Sequence, residues 1–267
     1  HAALKIIGKK HKVEWFLAGD EPDDSYDWVI SWSVGSEPFN NTIEKFKGRK
    51  ALLCAGHPYD TANFEKFEAI FVESPAVARQ IFHPNVILAF GTDTEFFRPP
   101  DQFHEPRIEK MFDVFFPASY SYWKRQDLFA DATKGLKALT CGTIQADGAD
   151  IFKKCEENSY AISGPVPTAL IARLYIMSRV VCITAWHGSE RTTLEAMSSN
   201  TPLVITRDNK LACSLVTDEV IIVEPNPESI RKGIEQALTR KVNTREFILE
   251  KYSEKKYAEK ILEVIES

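Results

Sequence analysis

Short apolar runs alternate with helix-like segments along this chain, stop, and then start again; this double alternation restricts the possible folds more than any other feature. In the first series, strands are expected at 12–18 (KVEWFLA), 26–33, 50–56, 69–73 and 85–91. A helix is expected from Pro75, a residue suited to a first helical turn. The stretch TDTEFFRPPDQFHEPRIEK, 92–110, is polar, rich in proline and without period. The second series places strands at 112–119, 180–185, 202–207 and 219–224, with YAIS at 160–163 and Ile144 marking weaker ones. Helices are expected at 125–139, 168–179, 191–199 and 226–240, the last capped by Asn226 with Pro227 in its first turn, and a long amphipathic helical tail at 245–266. Alternation of this kind means parallel sheets covered by helices. The expected class is α/β, with two parallel-sheet domains facing a cleft. The expected boundaries are 1–95 for the first domain, 96–110 for the linker, 111–245 for the second domain and 246–267 for the C-terminal amphipathic helix. Open parallel sheets bind ligands at the carboxyl ends of their strands.

Composition removes several function classes. The 267 residues are 44% hydrophobic with a formal charge of -5, so nothing favours a nucleic-acid surface. Five scattered cysteines, odd in number and mostly in apolar surroundings, fit buried thiols in a reducing compartment. There is no CxxC or HExxH, hence no expected metal site, no P-loop, no dinucleotide fingerprint around WSVGSE, and no nucleophile elbow. No apolar run reaches the length of a membrane span. The expected location is cytoplasmic or membrane-peripheral.

The stretch HGSERTTLEAMSSNTPLVITRD, 187–208, concentrates polar residues where a strand ends and a helix begins. A helix opening carries unpaired amides and a dipole that favours an anion, a diphosphate above all. Gly188 allows close backbone approach. Glu195 lies too deep to cap the helix, but its carboxylate can accept hydrogen bonds from paired sugar hydroxyls. On the residues alone, an ordinary helix start with a surface Glu195 stands beside this reading. His57, after the apolar run LLCAG, is either a structural hydrogen-bonder or a contact in a cleft. Lys124 is either a solvated charge ahead of a helix or a phosphate ligand. The aromatic run 120–123 (YSYW) either stacks on a ligand or packs a joint.

The same stretch resembles the loop EGFGLPPLEAMACGTPVV of the retaining GT-B glycosyltransferases, in the large family GT4. FGTDTEFFRPP, 90–100, resembles that family's crossover NGVDTEVFRP, and LLCAGH, 52–57, its acceptor-side strand ending in His. GPVPTALIARLYIMSRVVCIT and the C-terminal segment also resemble family patterns, so the likeness covers nearly the whole chain. The resemblance implies two Rossmann-like domains and transfer of a sugar from a nucleotide-sugar, UDP or GDP type, to an acceptor glycan, lipid or small molecule, with retention at the anomeric carbon. It implies no further cofactor and no metal. Glu195 matches the family Glu that holds the ribose; Gly188, Ser189, Glu190, Arg191 and Thr192 match the turn that meets diphosphate and sugar. Lys124 matches the family Lys that clamps the leaving diphosphate, and His57 matches a His at the sugar end.

Two positions depart from the family. His187 stands where the first Glu contacts the transferred sugar, with Glu190 three residues on. Ser119 stands where an Arg partners the Lys, with Arg125 adjacent to Lys124 as the expected substitute. Loss of one such charge contact typically costs about 3 kcal/mol of transition-state stabilisation. The departures favour weak activity, with a non-catalytic nucleotide-sugar or glycan-binding module as the alternative. The family's opening strand and glycine-rich loop have no counterpart ahead of residue 12, so a reduced or truncated N-terminal domain is expected.

Overall fold

The computed structural model describes residues 2–17, 20, 22–33, 43, 45–56, 63–100 and 108–267. The chain forms two compact units, residues 1–91 with 253–267 and residues 92–252.

The first unit is a four-stranded parallel sheet in the order β1-β2-β3-β4: β1 Trp28–Ser33, β2 Arg49–Cys54, β3 Ala69–Val72 and β4 Val86–Leu88. All four residues of β3 are buried, as expected of a parallel strand covered on both faces. Helix α1 (Ala2–Ile7) and the last helix of the chain, α10 (Glu254–Ile265), pack on one side. Ala3 and Ile7 meet Ala258, Ile261 and Leu262 above Ala51, Ala69 and Phe71. The short α2 (Pro75–Ala78) starts as its sequence predicts: Ser74 Oγ accepts from the Val77 amide at 3.3 Å and Pro75 fills the first position.

The strand expected at 12–18 does not form over its described residues. Lys12–Leu17 carry no regular structure, and Trp15 and Leu17 are exposed. The composition suits a strand, but a strand requires a neighbour, and no β-strand pairs with this segment among the described residues.

The second unit is a six-stranded parallel sheet: β5 Phe112–Pro117, β6 Ala138–Gly142, β7 Tyr160–Ser163, β8 Ser178–Ile183, β9 Leu203–Thr206 and β10 Ile221–Val223. The order is β10-β9-β8-β5-β6-β7. The chain winds outward from β5 to β7, then returns to β5's other side at β8. Both the order and the reversal between β5 and β8 are those of a doubly wound nucleotide-binding sheet. Seven helices are described in this unit: α3 Gln126–Ala132, α4 Ala149–Asn158, α5 Thr168–Met177, α6 Glu190–Ser198, α7 Lys210–Cys213, α8 Pro227–Leu238 and α9 Arg245–Lys251. Val180–Ile183 of β8 and Val114–Phe116 of β5 are fully buried, so the centre of the sheet is also the centre of the core.

Three expectations need correction here. The helix expected at 125–139 ends at Ala132, and β6 begins inside its predicted span, at Ala138. Helices α4 and α7 have no counterpart among the expected elements; Asn209 caps α7, accepting from the Ala212 amide at 3.0 Å. The tail at 245–266 is two helices, broken at Tyr252 and Ser253, where Ser253 Oγ caps α10 through the Lys256 amide. Helix α9 stays with the second unit. Arg245 is buried there and donates to the carbonyls of Thr94, Phe97 and Ser198 at 2.8–3.0 Å, which ties the 92–98 segment to the ends of α6 and α9. The five cysteines are free thiols, four of them buried. Among the described residues no helix is long and apolar enough to cross a membrane.

Candidate anion cradle at the switch point

The loops after β5 and β8 meet where the strand order reverses, and the sequence-predicted residues collect there. Gly188 and Ser189 both adopt left-handed backbone, with φ of 74° and 70°. This double turn swings the chain from β8 into α6. Glycine takes such a conformation without cost; serine does not. Ser189 occupies the cap position of α6 but makes no side-chain capping bond. The first helical bond runs from the Thr193 amide to the Ser189 carbonyl at 3.0 Å, and the Thr193 hydroxyl donates to the same oxygen at 2.9 Å. The amides of the preceding turn therefore have no partner within the helix.

Lys124 closes this opening from the other loop. Its Nζ donates to Ser189 Oγ at 3.1 Å and to the His187 carbonyl at 3.4 Å. A Cβ on residue 188 would lie only 2.8 Å from that Nζ, so glycine is what lets the ammonium rest against the turn. Burial lowers the Lys124 pKa, while the charge of Glu190 acts to raise it. Glu190 is itself buried, with Oε2 near residue 188. The site thus holds a half-buried ammonium facing a carbonyl, a hydroxyl and one carboxylate, at the positive end of a nine-residue helix. An anion entering here gains both the charge and the helix dipole.

Glu195 lies further along α6 and is buried, not on the exposed face that an ordinary surface charge would occupy. It accepts from Tyr175 Oη of α5 at 2.9 Å. Burial pushes its carboxyl up to about 7, against the Tyr175 hydrogen bond and the charge of Arg191, which both act to lower it. A carboxylate with one protein donor has room for more. Thr192 is half-buried and donates to the Pro117 carbonyl at 3.3 Å, tying α6 to the end of β5. Arg191 is exposed in the first turn, a position where the dipole disfavours a cation. His187 is half-buried and contributes its carbonyl to Lys124.

Two expected members of the site are placed otherwise. Arg125, expected beside Lys124 as a second phosphate cation, turns the other way: its guanidinium forms a fork on Asp208 at 2.8 and 2.9 Å. The same group donates to Thr206 Oγ1 at 3.1 Å and to the Thr184 carbonyl at 2.7 Å, so four of its five N–H donors are engaged within the protein. Ser119 offers its carbonyl to Gln126 Nε2 at 2.7 Å and brings no cation. His57 lies outside the described residues. Tyr175, Thr184, Asp208 and Asn209 belong to the surroundings of the site without having been expected from the sequence. Asn209 alone carried a local signal, as a capping residue ahead of a short helix; the Arg125–Asp208 pair is separated by 83 positions and leaves no trace in spacing.

Two parallel, Rossmann-like sheet units define the class: the fold is that of the GT-B glycosyltransferases. A glycosyltransferase from Rickettsia africae ESF-5 superposes with a TM-score of 0.72 at 15% identity, covering 90% of this chain and 76% of that one. HepE from Anabaena, in complex with UDP, gives 0.72 at 13% identity, covering 99% of this chain and 81% of the other. Sucrose-phosphate synthase from Thermosynechococcus elongatus gives 0.69 at 14% identity, covering 90% and 73%. No protein-family model and no curated protein sequence matches the chain.

Proposed function

We propose that this protein transfers a sugar from a nucleotide-sugar donor to an acceptor, with retention of configuration at the anomeric carbon. One observation carries the reading: the Lys124 ammonium, half-buried and held against the left-handed turn at the opening of α6, at the reversal between β5 and β8. In this reading the donor diphosphate rests on the α6 amides and Lys124, Glu195 accepts from the ribose hydroxyls, and Glu190 and His187 lie toward the transferred sugar. Negative charge grows on the leaving diphosphate in the transition state, where Lys124 and the helix opening stabilise it. No side chain is assigned as a covalent nucleophile. The leaving phosphate takes the acceptor proton on the same face that the acceptor attacks. The structural likeness to HepE bound to UDP supports a UDP-type donor. The charge is met by protein groups, and the proposal requires no metal.

A second reading, a non-catalytic nucleotide-sugar or glycan-binding module, is favoured by the commitment of Arg125 to Asp208. That pairing leaves the leaving group with one of the two cations that the resemblance implies. Incubation with UDP- and GDP-sugars and a panel of simple glycoside acceptors separates the two readings. Transfer, with the product's anomeric configuration matching the donor's by proton NMR, supports the enzyme. Donor binding without transfer or donor hydrolysis supports the module, and no binding of any nucleotide, nucleotide-sugar or glycoside in the panel overturns both.

A further inference from the structure

Both halves of the cradle are tied to two consecutive residues after β9 that lie outside the cradle itself. Asp208 holds Arg125 by the two-point fork, and Arg125 is the residue after Lys124. Arg125 has a left-handed backbone, φ 52° and ψ 43°, a conformation that is unfavourable for a non-glycine residue. Such a conformation persists where surrounding contacts over-determine it. Here the contacts are the Asp208 fork, Thr206, the Thr184 carbonyl, and the Thr184 hydroxyl donating to the Arg125 carbonyl at 2.8 Å. The Thr184 hydroxyl also donates to the Lys124 carbonyl at 3.2 Å, so the same contacts hold the backbone of both residues. The neighbouring Asn209 is fully buried. Its Oδ1 caps α7, and its Nδ2 donates to the Gly188 carbonyl at 2.8 Å. The chain just beyond β9 therefore grips the lysine loop through a charge pair and the 187–189 turn through an amide.

We propose that Asp208 and Asn209 are the positioning residues of the cradle, setting the spacing between the Lys124 ammonium and the opening of α6 without touching the ligand. The consequence for affinity rests on the nucleotide-binding reading above; the mechanical tie does not. Preorganised charge is effective because no reorganisation is needed when the anion arrives. A single strand end that holds both halves at once is the simplest way to supply that order.

Asn209→Ser keeps a capping oxygen for α7 and removes only the donor to Gly188. Asp208→Asn removes the charge of the fork, and Asp208→Glu keeps it. Each variant of the full chain is titrated with UDP by calorimetry, melted, and followed by hydrogen–deuterium exchange over peptides covering 119–126 and 186–193. Asn209→Ser and Asp208→Asn are expected to weaken UDP at least tenfold. Asp208→Glu is expected to stay within about threefold of wild type. Exchange should rise in 186–193 for Asn209→Ser and in 119–126 for Asp208→Asn. Unchanged UDP affinity in both variants, whatever happens to melting, overturns the proposal. If wild type binds neither UDP nor GDP, the nucleotide reading fails, and exchange decides the tie: local increases uphold it and wild-type rates overturn it. Should Asp208→Asn not fold, Asn209→Ser decides the matter by the same two readouts.

Discussion

Glu195 shows how burial changes what a residue on a familiar motif does. A carboxyl raised from 4.5 to about 7 is bound more tightly to its proton in the folded chain than in the unfolded one. The sign follows by linkage: its contribution is full below pH 4.5, falls as pH rises to 7, and is flat above. The span corresponds to about 3 kcal/mol. Thermal melts of wild type and Glu195→Gln should therefore diverge through that interval, the wild type losing stability relative to the variant as pH rises. Parallel melting curves across pH 4–8 would show that folding leaves the Glu195 carboxyl unshifted. Arg125 carries the opposite lesson. Its place beside Lys124 in sequence implies a shared task, but the left-handed backbone turns its side chain to Asp208. Adjacent residues with a strained residue between strand and helix need not share a target.

Among the elements, those with strong internal period were legible. β8, α6 and β9 lie within a residue or two of their expected positions because each is an apolar strand or a helix with a polar start. The start of α8 is fixed by Asn226, which accepts from the Ser229 amide at 2.9 Å, with Pro227 at the first position. Failures occur where tertiary context overrules composition. KVEWFLA has the residues of a strand and, over its described residues, no strand beside it. The KALTCG run became β6 because Ala138 to Cys141 pair with Val114 to Pro117, overriding the helical reading of its first residues. The polar strand-to-helix turn at the α6 opening was legible as a candidate anion site, but the double left-handed turn within it was not, because Ser189 gives no hint of a positive φ. Gly188 can be tested directly. Gly188→Ala places a methyl 2.8 Å from Lys124 Nζ on a backbone with φ of 74°. The strain costs roughly 1 kcal/mol, and the ammonium must move. The expected outcome is a protein melting a few degrees lower with UDP affinity down tenfold or more. Wild-type affinity in a folded Gly188→Ala would show that the ammonium's seat on the turn is unimportant.

At the scale of the molecule, the chain leaves its first unit at residue 91, builds the second, and returns with α10 at residue 253. The return explains why the tail is two helices: α9 answers to Thr94 and Phe97 of one unit, α10 to Ala3 and Ile7 of the other. Amphipathic period alone could not separate them, since both halves carry an apolar stripe. The doubly wound order of the second sheet places its strand reversal at the loops carrying Lys124 and Gly188, so the fold and the candidate chemistry point to the same end of the same sheet. The most direct test is calorimetric titration of UDP into the full chain and into Lys124→Met, which keeps the stem and removes the charge. Charge-assisted contacts of about 1.5–3 kcal/mol correspond to roughly 10–100-fold in affinity. Saturable binding by wild type, weakened by that factor in a variant that melts like wild type, is the predicted result. Equal affinity in both proteins would mean that the phosphates bind elsewhere, and the account of the cradle would be wrong.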